Sequence, residues 1–358
     1  MKKIRQAVIG AQCALGLAAT LLAAQHEPQA LFYMTRSANS ERSFEEHASQ
    51  INAIVPTWYS VERDGRLIGQ PEPAVLSIAK EHQVQVMPIV SAWDFHPKTY
   101  HAFLSDRVAR HRFGRALVEA CRRYGYAGFQ IDFEDINFSD RAALSSTVAE
   151  VAGVLHHAGY ELSMATVPNA PGLGPPTAFD QWLYHHWGGV YDLRVLAKSV
   201  DWICLMTYDE HTRFTPPGPV AGYPWVVRQL DYALEQVPKQ KLSLGISLYG
   251  YRWWAGKPRR LRVGNRRRYE PNVEAKSLSA PAALRLAVEF HRPIRWDARD
   301  ETAWFDFYRG GRREWVFFTN GRTFARLLHL ARKRRLKGFC AWVLGDEDPT
   351  IWKYLPAH

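Results

Sequence analysis

Eight short apolar runs recur along the chain with helix-period stretches between them, and this alternation restricts the fold more than any other feature. The runs are "ALFYMTR" from Ala30, "INAIVPTWYS" from Ile51, "VQVMPIVSAW" from Val84 and "AGFQIDFE" from Ala127. They continue with "ELSMATVP" from Glu161, "VDWICLMTYD" from Val200, "KLSLGISLYGY" from Lys241 and "LKGFCAWVLG" from Leu336. Between them, Phe113, Leu117, Cys121 and Tyr124 recur at helical spacing, as do Leu144, Val148, Val151 and Leu155. Pro224 opens a further helical pattern at a favoured first-turn position. Strands that alternate with helices pair in parallel, and eight such units predict an α/β fold of the closed (β/α)8 TIM-barrel type. A doubly wound open sheet is the alternative, but no glycine-rich phosphate loop follows the first strand.

The fourth run carries the chemistry. Gln130, Asp132 and Glu134 alternate with Phe129, Ile131 and Phe133. Alone, this pattern describes a strand with one wet face. A parallel strand flanked by helices has no wet face, so the polar set points into the barrel and the apolar set toward the helices. Glu134 closes the run at the C-terminal end, where barrel active sites lie. Two carboxylates enclosed there are costly unless they serve a function.

Other strand ends supply Trp58, Tyr59, Ser91, Trp93, Met206, Tyr208, Asp209, Tyr249, Tyr251 and Trp342. Singly, each is more often a core residue. Together around carboxylates, flat apolar rings with polar edges suit sugars, and the set points to glycoside hydrolysis. The long connections after strands five and six belong to the same face. So does the segment from Arg252 to Gly321 after strand seven, which holds a helix pattern, "PAALRLAVEF", and a hairpin signal around Gly310–Gly311. It is expected to form a small α+β lobe walling one side of a cleft.

The formal charge of +11 suits an anionic environment such as nucleic acid, a phospholipid surface or an acidic wall polymer. Basic residues cluster in Gly256–Tyr269 and Ala331–Arg335, without any nucleic-acid recognition signature around them. Residues 1–25 read as a signal peptide or an N-terminal membrane anchor: Lys2, Lys3 and Arg5 precede an apolar stretch from Ala7 to Ala24. Leu22 sits where a cleavage site after Ala24 wants a small residue. Export to the periplasm or the exterior is expected, with residues 26–358 forming the barrel. Cys121, Cys204 and Cys340 are too widely spaced for a disulfide framework and read as buried thiols. The histidines show no metal-ligand spacing, and no cofactor is expected.

The run "AGFQIDFE", with "LMTYD" on strand six, the insertion after strand seven and the tryptophan of strand eight, resembles glycoside hydrolase family 18, the chitinase-like barrels. "GFQIDFE", "MTYDEHT" and "GFCAWVLGDEDPTIW" look most like its bacterial cell-wall and spore-cortex lytic branch. The resemblance implies a retaining, substrate-assisted mechanism in which the sugar's own acetamide oxygen attacks. It gives Glu134 the role of general acid and base, Asp132 that of orienting the acetamide, and Tyr208 a hydrogen bond to the acetamide oxygen. Met206, Asp209 and Gln130 would line the subsite, Trp342 would floor it, and Trp58, Trp93 and Tyr249 would contact further sugar. The implied partner is a polysaccharide with N-acetylglucosamine units, taken by a monomer, with possible association to a membrane or anionic envelope surface and none to nucleic acid. Ala127 and Gln130 stand where the family usually or often has aspartates; losing a like charge at 130 should ease ionisation of Asp132. A non-catalytic sugar-binding barrel is the rival reading, and such proteins usually lack the acid that Glu134 supplies here.

Overall fold

The computed structural model describes residues 27–92, 96–171, 177–257, 259–263, 266–270 and 272–358. The expected leader, Trp93 and parts of the Gly256–Tyr269 basic run lie outside the described residues.

All eight apolar runs form strands. Strand one is Gln29–Met34, strand two Ala53–Pro56, strand four Gly128–Ile131 and strand five Glu161–Thr166. Strand six is Trp202–Leu205, strand seven Leu242–Ser247 and strand eight Gly338–Trp342. Strand three is two pieces, Gln85–Val86 and Ile89–Ala92, split around Pro88, which has no N–H to give to a ladder. Neighbours pair in parallel, and strand one lies between strands eight and two. The ring closes across the split strand. Its first piece pairs with strand two and its second with strand four, and Ala127 N–H donates to Val86 O at 3.0 Å. The result is a TIM-barrel-like α/β fold.

Local chemistry sets the approach to strand four. The helix Arg107–Tyr124 begins at Asp106, whose side chain accepts from the N–H groups of Val108 and Ala109. It ends at Gly125, whose φ of +73° closes the helix in the left-handed conformation that glycine adopts freely. Gly128 then passes strand five so closely that a β-carbon there would stand 2.0 Å from Glu161 O. Phe129, Ile131 and Phe133 pack outward among Phe103, Phe113 and Leu144 of the helices. Inside the barrel lies a second cluster that includes Tyr33, Val55, Ile89, Trp202, Cys204, Met206 and Cys340. Cys121, Cys204 and Cys340 are free and buried.

A five-stranded antiparallel sheet occupies the segment between strand seven and the helix Gly321–Arg334. Its order is Val273–Ser279, Tyr249–Ala255, Arg312–Phe318, Thr302–Arg309, Arg295–Asp297. The helix Ala280–Glu289 covers it, and Ala283, Phe305, Val316 and Phe318 form its own core. Tyr249 already belongs to this sheet, so the boundary expected at Arg252 moves upstream. Only Leu248 separates strand seven from the first strand of the lobe.

Candidate active site

Strand four ends at Ile131, and the chain continues past it toward the barrel mouth. Asp132 N–H donates to Val90 O at 2.9 Å, prolonging the ladder by one residue. Glu134 follows in the loop. Two buried tyrosines from elsewhere in the chain hold this turn. Tyr191 OH donates to Phe133 O at 2.7 Å, and Tyr100 OH accepts from the backbone N–H of Glu134 as well as from Ala92 N–H at 3.1 Å. Neither tyrosine was legible as part of the site, because both act through backbone atoms distant in sequence.

Asp132 is 7% exposed, and its Oδ1 has no hydrogen-bond partner among the described residues. Glu134 is half-buried. Neither carboxylate has an ion pair among the described residues. Burial pushes the Asp132 carboxyl up to about 7. Burial, then the neighbouring charges of Asp132, Asp209 and Asp135, push Glu134 up to about 8. Glu134 therefore keeps its proton at neutrality, the condition a general acid needs, while Asp132 is partly ionised there.

Tyr208 stands beside these carboxylates, its hydroxyl raised by burial and then by the charges of Cys340, Asp132 and Glu134. Its ring meets Tyr249 edge to face at 6.4 Å. Tyr249, from the antiparallel sheet, donates its hydroxyl proton to Asp209 Oδ1 at 2.5 Å. Asp209 itself has a φ of +64°, a strained conformation for a residue with a side chain. Desolvation raises its carboxyl, opposed by hydrogen bonds from Tyr249 and Tyr251. Met206 lies in the interior cluster against which Tyr208 and Trp342 pack. Trp342 ends strand eight half-buried, with its ring 5.1 Å from Tyr33 and a cis peptide to Val343.

A cavity of about 460 Å³ opens over this floor, lined by Arg36, Trp58, Tyr59, Ser91, Asp132 and Trp342, among others. Trp58 is 4% exposed and gives its indole N–H to Glu72 Oε2 at 3.2 Å, so it offers little of its face. Gln130 is wholly enclosed beneath Asp132. Its amide nitrogen reaches Ser163 Oγ at 3.1 Å and Cys204 Sγ at 3.3 Å. Its position is under the site, not among the substrate contacts expected of it, because an interior-facing strand residue one pleat below the mouth is covered by the next. Trp93 lies outside the described residues. Arg36 escaped the sequence reading, since its neighbours Gln70 and Glu72 are remote along the chain.

Carboxylates without an ion pair among the described residues, at the C-terminal mouth of a barrel, accompany a direct match. Residues 29–348 fit the model for Glycosyl hydrolases family 18. The chain belongs to that family. It is a glycosidase. The "Uncharacterized glycosylase YvbX" of Bacillus subtilis (strain 168) is 26% identical over 329 residues, covering 90% of this chain and 88% of that protein. The "Cortical fragment-lytic enzyme" of the same organism is 26% identical, covering 89% of this chain and 70% of its own length. Among solved structures, the Bacillus cereus spore cortex-lytic enzyme SleL superimposes with a TM-score of 0.79 at 23% identity, over 92% of this chain and 73% of that one. A chitinase from Chromobacterium violaceum ATCC 12472 does so with a TM-score of 0.79 at 25% identity, over 91% and 97%. The family 18 barrel thus recurs among proteins named for cortex lysis and for chitin.

Proposed function

We propose that this family 18 glycosidase cleaves β-linked N-acetylglucosamine-containing glycan with retention of configuration, using Glu134 as general acid and base. The observation that carries this reading is a carboxylate pair, one buried and one half-buried, without a cation partner among the described residues, Glu134 being raised to about 8. In the first step Glu134 gives its proton to the glycosidic oxygen. The bond from that oxygen to the anomeric carbon breaks as the 2-acetamido oxygen bonds to the same carbon, forming an oxazolinium. Asp132 accepts from the acetamide N–H and balances its positive charge, while Tyr208 donates to the acetamide oxygen. In the second step Glu134, now a carboxylate, takes a proton from the water that opens the oxazolinium. Two inversions at one carbon give net retention.

Trp342 is the floor of this subsite, Met206 and Asp209 its lining, and the lobe carrying Tyr249 one wall of the cleft. Trp93, beyond the described residues, serves a further sugar, while the buried Trp58 shapes the cavity wall without stacking on one. The net charge and the names of the cortex-lytic relatives favour peptidoglycan over chitin. We read residues 1–25 as an export leader or anchor, which brings a monomeric barrel of residues 26–358 to an anionic envelope polymer. Release of reducing ends from chitooligosaccharides and purified peptidoglycan tests the reading, with Glu134→Gln as the inactive control. Tight binding without turnover on either substrate would overturn it.

A further inference from the structure

Arg36 and Asp132 are the charged residues of the cavity lining among those described, and they do different work. Resting on the proposed function, Asp132 and Trp342 mark the sugar whose bond is cleaved, and Glu134, outside the lining, faces the leaving group. The rest of the cavity, where Arg36 lies beside Trp58 and Tyr59, therefore receives sugars on the non-reducing side of the cut.

Arg36 follows strand one at the barrel mouth and is held in place. Its Nη1 donates to Glu72 Oε1 at 3.0 Å and its Nη2 to Gln70 O at 2.5 Å. Glu72 Oε2 takes the indole N–H of Trp58, so one carboxylate fixes both the cation and the aromatic ring next to it. With side chains 43% and 20% exposed, the Arg36–Glu72 pair adds little to stability. Two of the five guanidinium N–H groups are engaged by hydrogen bonds among the described residues, and the others remain to meet a ligand. A neutral sugar needs only the serines, amides and rings around it. A fixed planar guanidinium matches a carboxylate.

We propose that Arg36 binds the lactyl carboxylate of a muramic acid residue on the non-reducing side of the cleaved bond. Peptidoglycan alternates N-acetylglucosamine with N-acetylmuramic acid, so an N-acetylglucosamine over Trp342 brings a lactyl ether toward Arg36. That carboxylate is free only where the stem peptide has been removed. The protein thus selects peptide-free strands, and its net charge of +11 draws such polyanions in.

Steady-state kinetics on three tetrasaccharides test this: a peptide-free alternating oligomer, its lactyl methyl ester, and chitotetraose. Arg36→Gln should raise KM on the free acid about 10- to 100-fold more than on the ester or chitotetraose, with Arg36→Lys recovering part of the difference. Because the comparison is a ratio within one variant, lost folded protein cancels. Equal losses on all three, or no loss, would overturn the assignment. Should the wild type turn over none of them, calorimetric binding in the Glu134→Gln background reads the same ratio. That outcome would remove the hydrolase reading while still deciding the role of Arg36.

Discussion

The barrel mouth and the antiparallel lobe both bury carboxylates, and they treat them in opposite ways. In the lobe, Asp306 is 4% exposed and ringed by Arg313 at 2.9 Å, Arg295 at 3.4 Å and Arg292 at 3.6 Å. Glu314, 1% exposed, pairs with Arg252 at 2.9 Å. At the mouth, Asp132 and Glu134 have no such partner among the described residues and rise to about 7 and about 8 instead. A buried charge must be either paired or neutralised by protons. The lobe pairs its charges and gains a fixed structure; the mouth leaves protons on its carboxyls and gains an acid.

The contrast can be broken most sharply at Glu134. Glu134→Gln should lower kcat by about 10²–10⁴-fold with oligosaccharide binding retained, read from reducing-end release and calorimetry. In the lobe, Asp306→Asn should do the reverse. Three arginines lose their counter-charge, and unfolding in urea should show a loss of about 1–3 kcal/mol, moderated by the arginines' partial exposure. Turnover per folded molecule should persist.

The protons at the mouth set two pH dependences. A general acid must start protonated, so kcat/KM should fall as pH rises through about 8. Asp132 titrates near 4 when unfolded and at about 7 when folded, so the unfolded state ionises first and stability drains away between those values. Asp132→Asn should therefore raise the melting temperature by roughly 2–5 °C at pH 8 and leave it little changed at pH 4. The smallest effect is expected at Tyr191. Tyr191→Phe removes one buried hydrogen bond to Phe133 O, lowering stability by about 1 kcal/mol and loosening the turn that aims Glu134. A several-fold fall in kcat with KM unchanged would distinguish this positioning role from simple destabilisation.

The barrel was legible because its period is local. Phe129, Ile131 and Phe133 read as one face and Gln130, Asp132 and Glu134 as the other from neighbours alone, and the hairpin at Gly310–Gly311 and the helix at Pro224 were equally local. Depth was not legible. Alternation places Gln130 and Asp132 on the same interior face, yet it does not say that one is capped by Ser163 and Cys204 while the other reaches the cavity. The same limit hid the burial of Trp58, which depends on Glu72, and the roles of Tyr100 and Tyr191. Each of these is a contact between distant segments, which a one-dimensional pattern does not record. The interruption of strand three had a sequence signal in Pro88, though one that does not reveal how the ring closes around it.

The joint at Leu248 has a consequence for anyone who would exchange the lobe. Strand seven enters the lobe through this single residue, whose N–H is itself tied to Trp342 O at 2.7 Å. There is no slack to absorb a change in length. Because side chains alternate along a strand, one residue deleted at the joint would turn Tyr249 away and offer Gly250 to Asp209, and one inserted would offer Leu248 or the newcomer in its place. A grafted lobe would have to keep the residue count across this joint, whatever its own sequence, to leave the tyrosine on its aspartate.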